Sequence, residues 1–136
     1  MKISPYLIFN GQCEAAFKLY EKVLGGAVTF RQTHGESPMA AQVAPDWQGK
    51  IMHITLAVGD NVIMGSDAPP DHYQKPQGVQ VSIGVNDAAE GDRIFKALAE
   101  GGSVSLPYQK TFWSPGFGML VDQFGTPWMV NSDGHP

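Results

Sequence analysis

The apolar positions of this chain change period several times, and each change marks an element. Tyr6-Leu7-Ile8-Phe9 is a short apolar run behind Pro5 and predicts a strand, because proline is tolerated where a strand begins. From Cys13 to Leu24 the spacing is helical. Phe17, Tyr20, Val23 and Leu24 recur on one side, while Glu14, Lys18, Glu21 and Lys22 fall mainly towards solvent. Glu14 and Lys18 stand at i and i+4 in the favourable order, a pair worth a few tenths of a kcal/mol. Gly25-Gly26 ends the helix, since glycine accepts the left-handed conformation of a C-cap. Strands are predicted next at Ala27 to Thr33, Lys50 to Val58 and Val62 to Ser66. The last two are joined as a hairpin by Gly59-Asp60-Asn61. Between the first two of these strands, residues 34–49 hold two prolines, two glycines and no period, and read as a long loop. Residues 67–78, with three prolines, read as a linker.

The second half repeats this order. Val79 to Val85 predicts a strand and Asp87 to Glu100 a helix, with Asp87 and Glu90 matching a capping-box start. Ile94, Phe95, Leu98 and Ala99 supply its apolar stripe, and Gly101-Gly102 closes it. Strands follow at Val104 to Leu106, from Thr111 or Phe112 to Val121, and at Pro127 to Asn131. Asp122-Gln123-Phe124-Gly125 forms the turn between the last two. The two Gly-Gly stops are 76 residues apart, and the same shift lays Leu7 on Ile83 and Phe9 on Val85. The expected fold is therefore α+β: one domain over 1–136, made of two βαβββ modules at 1–67 and 79–133.

Composition narrows the function classes. With 43% hydrophobic and 16% charged residues the chain is globular rather than disordered. A net charge of -4 with scattered Lys and Arg argues against nucleic acid as a partner. No apolar run approaches the roughly 20 residues of a membrane-spanning helix, so no membrane partner is expected. The N-terminus lacks a signal peptide's hydrophobic stretch. Cys13 is the single cysteine, which excludes an intrachain disulfide and suits a reducing, cytoplasmic location.

Several motifs occur together in order. Pro5-Tyr6-Leu7-Ile8-Phe9-Asn10-Gly11, Glu14-Ala15-Ala16-Phe17 through Tyr20, and Val23-Leu24-Gly25-Gly26 open the chain. Met52-His53, Met64-Gly65-Ser66-Asp67, Leu98 with Glu100-Gly101-Gly102, Phe112-Trp113, and Asp122-Gln123-Phe124-Gly125 running into Trp128 follow. This series resembles PhnB-like proteins of the vicinal-oxygen-chelate superfamily, which includes glyoxalase, extradiol dioxygenases and bleomycin-resistance proteins. The resemblance covers nearly the whole chain. It implies two βαβββ modules whose strands form a curved mixed sheet, and a homodimer. The label demethylubiquinone methyltransferase that the subfamily carries finds no support in the residues, because no glycine-rich methyl-donor motif follows a strand.

Metal enzymes of that superfamily draw ligands from the first and last strand of each module. Here the resemblance puts Pro5, Met64, Gln80 and Met129 at those places. Proline has no ligand atom and thioethers suit Zn, Mg or Fe poorly, so no metal or other cofactor is expected. Among the histidines, His53 is the best candidate for a displaced metal site and otherwise a polar pocket residue. His34-Gly35-Glu36 puts a His and a Glu on one side if the strand continues. His72 and Asp67 lie in the linker and are expected to be solvated or turn-forming, and His135 sits at the C-terminus. Cys13 stands at a helix start, where the dipole favours a thiolate, but no base is delivered to it. Ser66 and Ser114 lack a nucleophile-elbow context, and Gly116-Phe117-Gly118 lacks a phosphate-binding lysine.

What remains is an apolar, aromatic pocket with a few polar groups. Alternation assigns Leu7, Phe9, His53, Thr55, Met64, Gln80, Ser82, Met129 and Asn131 to its concave side, with Trp47 and Trp113 as walls. Ile8, Ile54, Leu56, Val81, Ile83 and Val130 are assigned to the helix side. The leading expectation is metal-independent binding of a small apolar molecule, oriented by His53, Gln80 and Trp113. The alternatives are a divalent-metal enzyme of lyase or dioxygenase type, and a non-catalytic interaction dimer.

Overall fold

The amphipathic stretch at Cys13–Leu24 forms helix α1, which buries Cys13, Ala16, Phe17, Tyr20 and Val23. It ends where Gly25 takes φ 73°, its N–H donating to the Glu21 carbonyl. These features come from a computed structural model, which describes residues 1–133; His135 lies outside them. The chain divides into two compact units, Met1–Gln74 and Lys75–Pro136.

The first unit contains strand β1 (Tyr6–Phe9), α1, and strands β2 (Ala27–Thr33), β3 (Ile51–Val58) and β4 (Asn61–Asp67). Its mixed four-stranded sheet has the order β1-β4-β3-β2, with β1 and β4 parallel and the other pairs antiparallel. One face is covered by α1. Phe9, Phe17 and Tyr20 meet there, Phe9 and Phe17 edge-on with centroids 6.1 Å apart. Gly65 lies under Phe17, where a Cβ would come within 2.6 Å of the ring, so the helix can approach the sheet only over glycine. Glu14 is taken by Arg31 of β2 rather than by Lys18, tying the exposed side of α1 to the sheet edge. The stretch 34–49 holds no strand but three single 3-10 turns, at His34–Glu36, Ala40–Gln42 and Pro45–Trp47.

The second unit contains β5 (Val81–Val85), α2 (Ala88–Ala99), β6 (Ser103–Gln109), β7 (Phe117–Val121) and β8 (Pro127–Ser132). The order β5-β8-β7-β6 reproduces that of the first unit, with β5 and β8 parallel. The architecture is thus the expected α+β fold of two βαβββ modules, with two four-stranded mixed sheets, one per unit. Pro107 sits in β6, an edge strand, where a missing N–H costs nothing in the ladder.

Two strands begin later than the sequence pattern predicts. The fifth strand begins at Val81, leaving Val79 exposed. The seventh begins only at Phe117. Thr111 and Ser114 close a turn before it, the Thr111 N–H donating to the Ser114 carbonyl (2.9 Å) and the Ser114 N–H to Thr111 Oγ1 (3.1 Å). Half of the capping box is also absent. Asp87 accepts from the Ala89 N–H, but Glu90 pairs with Arg93.

Candidate functional site

The strand β3 sorts its side chains cleanly. Ile54 and Leu56 are 2% and 0% exposed and lie on the α1 side, whereas His53 and Thr55 are half-buried on the opposite, open face. Register then identifies their company. Thr55 faces Met64 across β3–β4, Met64 faces Tyr6 across β4–β1, and Phe30 faces Thr55 from β2. The open face of the first sheet therefore presents one row of Tyr6, Met64, Thr55 and Phe30, with His53, Ile8 and Ser66 in the next.

This phase reverses the expected one for β1. Phe9, assigned to the pocket, is 1% exposed and packs on Phe17 and Tyr20, while Leu7 is paired with Gly65 on the same helix side. Ile8, assigned to the helix side, faces the open one. A strand with four consecutive apolar residues has no polar alternation to reveal its phase, so the contact with α1 decides it.

His53 is the centre of the open face. Its Nδ1 lies 2.9 Å from the Tyr6 hydroxyl and its Nε2 lies 3.2 Å from Thr55 Oγ1, so both ring nitrogens are engaged. The Tyr6 ring stacks on the imidazole at 5.5 Å and 27°, and Phe30 leans on it at 5.8 Å. Tyr6 and Phe30 remain 43% and 49% exposed, which makes this a solvent-facing aromatic platform with a hydrogen-bonded polar thread. Tyr6 and Phe30 were missed in the sequence; the signal was their register with Met64 and Thr55.

In the second unit, Ser82, Met129 and Asn131 share the open face with Met119 and Phe117. Ser82 and Met119 flank Met129, and Phe117 flanks Asn131. Trp113, 48% exposed on the 110–116 loop, meets Phe117 edge-on at 5.3 Å and Phe112 at 4.7 Å. Asn131 Oδ1 is buried without a hydrogen-bond partner. Gln80 stands exposed just before β5. Trp47 is placed elsewhere, at the turn between β1 and α1. A Cβ on Gly11 would touch its ring, and Lys50 Nζ lies 5.9 Å from the ring centroid.

Asp67, expected in a solvated linker, is the last residue of β4 and is 2% exposed. Its Oδ1 accepts the N–H groups of Gly11 and Cys13, and its Oδ2 that of Ile51, each at 2.9 Å. One carboxylate thus ties the start of α1 and the start of β3 to the end of β4. His34 does not pair with Glu36. Its Nε2 lies 3.0 Å from the Asp67 carbonyl, while Glu36 accepts from the N–H and hydroxyl of Thr33. Those Thr33 bonds hold the Glu36 carboxyl below its ordinary range. Cys13 is fully buried. Burial first, then the nearby Asp67 and Glu14 carboxylates, pushes its thiol far above the usual range, overriding the helix dipole and keeping it protonated.

The four places expected to bear metal ligands hold Pro5, Met64, Gln80 and Met129. Met64 and Met129 sit at matching positions of the two open faces and offer thioethers. Pro5 offers only its carbonyl, which accepts from the Met64 N–H. Among the described residues no three His, Cys, Asp or Glu side chains gather as a metal-holding group.

Comparison with known proteins supplies the family. The model of the 3-demethylubiquinone-9 3-methyltransferase family matches residues 1–131. The chain belongs to this family. YjdN of Escherichia coli is 35% identical over 96% of this chain and 95% of its own. The crystal structure of PA1353 from Pseudomonas aeruginosa is 46% identical, covers 98% of both chains and superposes with a TM-score of 0.90. A glyoxalase-related enzyme from Fulvimarina pelagi shares the fold at 16% identity, with a TM-score of 0.64 over 98% of this chain and 88% of its own. The chain is accordingly YjdN-like and shares the fold of that glyoxalase-related enzyme. Among the described residues no helix is long and apolar enough to cross a membrane.

Proposed function

We propose that this protein binds small, mostly apolar molecules on the open faces of its two sheets, without a metal ion. The observation that carries the reading is the Tyr6–His53–Phe30 platform. Aromatic side chains are left open to solvent around an imidazole whose orientation is fixed at both nitrogens. A face that served only to fill a core would bury its rings. The Trp113–Phe117–Met129 face of the second unit, with the unpartnered Asn131 oxygen, has the same character. Methionine at the superfamily's ligand places suits adaptable apolar packing better than divalent-metal chemistry.

The test uses the neutral fluorescent probe N-phenyl-1-naphthylamine on protein treated with chelator. Saturable binding is expected, and His53→Ala should weaken the first site about tenfold, the equivalent of roughly one hydrogen bond and one ring contact. Stability should change by less than about 1 kcal/mol, because His53 is only half-buried. Absence of saturable binding, or unchanged binding by the variant, would overturn the reading.

We further propose a cytoplasmic homodimer. In each sheet the two outer strands carry an edge with no partner within that sheet, and Phe112 is 90% exposed. Sedimentation at low micromolar concentration should give twice the 14.7 kDa chain mass, and a monomer there would remove this proposal.

A further inference from the structure

The step from Asn10 to Gly11, between β1 and α1, carries a chemistry that needs no ligand. When glycine follows asparagine, the glycine nitrogen can attack the asparagine side-chain carbonyl. The N–Cγ bond that forms expels ammonia and closes a succinimide, which water opens to aspartate or isoaspartate. Before it attacks, the nitrogen must give up its hydrogen to a base from solvent. Glycine favours the reaction because no Cβ crowds the ring. Asn10 is exposed, and among the described residues its side chain makes no hydrogen bond. Asn61, Asn86 and Asn131 precede Val62, Asp87 and Ser132, so this is the single Asn-Gly pair in the sequence.

We infer that Asn10 is a site of spontaneous deamidation that the fold holds shut, with Asp67 as the latch. The Gly11 N–H, whose hydrogen must leave first, donates to Asp67 Oδ1 at 2.9 Å. The carboxylate occupies the direction from which a base would come, and its charge opposes an amide anion at that nitrogen. Asp67 is itself buried, and Cys13 and Ile51 hold it in place through their own N–H groups.

The chain on either side is pinned as well. The Phe9 carbonyl accepts from the Ala68 N–H at 2.8 Å, and the Gly11 carbonyl accepts from Lys50 Nζ at 3.0 Å. Closing a five-membered ring at Asn10 turns the backbone against all of these bonds, so reaction waits for the turn to open. Opening then leaves a permanent mark. Isoaspartate lengthens the main chain between β1 and α1 by one methylene, and aspartate sets a second carboxyl next to the Gly11–Asp67 bond. Either product loosens the closure that had prevented it.

The test follows Asn10 by peptide mapping and mass spectrometry in mildly alkaline buffer, below the melting temperature of every protein used. A synthetic peptide covering residues 6–16 gives the unprotected rate. The parent protein is expected to react at least about tenfold slower than this peptide. Asp67→Ala should restore most of the peptide's rate. Asp122→Ala removes a comparable set of bonds from the second unit and should leave Asn10 as slow as in the parent. Hydrogen exchange gives a readout that needs no variant. Exchange at Gly11 removes the same hydrogen, so it should be slowed by a similar factor relative to the peptide. The inference is overturned by a parent protein that reacts as fast as the peptide, or by an Asp67→Ala variant that stays slow. It is equally overturned if Asp122→Ala matches Asp67→Ala, which would make general destabilisation the cause, or if the Gly11 N–H exchanges as freely as in the peptide.

Discussion

Replacing Asp67 by Ala is expected to cost about 4 kcal/mol of stability, lowering the thermal midpoint by roughly 10–20 °C. The carboxylate is buried and accepts three backbone N–H bonds, from Gly11, Cys13 and Ile51. Alanine leaves those donors without a partner, each at about 1–3 kcal/mol, partly offset by water reaching the half-buried Gly11 turn. Asp67→Asn keeps the shape but turns an amide N–H towards at least one of the donors, so about half the loss is expected. Urea melts followed by circular dichroism measure both. A loss below about 1 kcal/mol for the alanine variant would mean that the backbone around α1 and β3 satisfies itself without the carboxylate.

Asp122→Ala is expected to cost about 3 kcal/mol, by a related route in the second unit. Asp122 Oδ1 accepts from the N–H groups of Phe124 and Thr126, fixing the turn between β7 and β8, and its Oδ2 accepts from the Trp128 indole N–H at 2.8 Å. Trp128 is fully buried, so its indole donor has no water to turn to. A double-mutant cycle with Trp128→Phe separates the two contributions. The indole bond should appear as a coupling of about 1–2 kcal/mol, the remainder belonging to the turn. Additive effects of the two substitutions would show that the indole bond contributes nothing beyond packing.

The matching strand ends of the two units are held differently. Asp67 is in register with Phe9, the last residue of β1, and Ser132 is in register with Val85, the last residue of β5. At the matching place the second unit uses a hydroxyl. Ser132 Oγ lies 2.6 Å from Tyr108 OH, which donates to the Ala88 carbonyl. One unit gathers backbone donors with a charge, and the other holds a helix carbonyl with a tyrosine.

Much was legible in the order of residues. The helical stripe at Cys13–Leu24, the glycine stops and the hairpin at Gly59-Asp60 all act within a few positions, and local pattern reports such interactions directly. The open-face positions of His53 and Thr55 followed from the strict alternation around the buried Ile54 and Leu56. The resemblance that named the superfamily rested on motifs of the same local kind.

Residue type and short-range period reveal the two βαβββ repeats and the helix faces. Which way β1 faces is set by packing against α1, since four apolar residues in a row fit either phase until Phe9 meets Phe17 and Tyr20. The same holds for Asp67, whose partners Gly11 and Cys13 lie 56 and 54 positions away, and for Tyr6, which reaches His53 across 47. A hydrogen bond over such separations leaves no trace in local hydropathy; it exists because strand pairing brings the ends together.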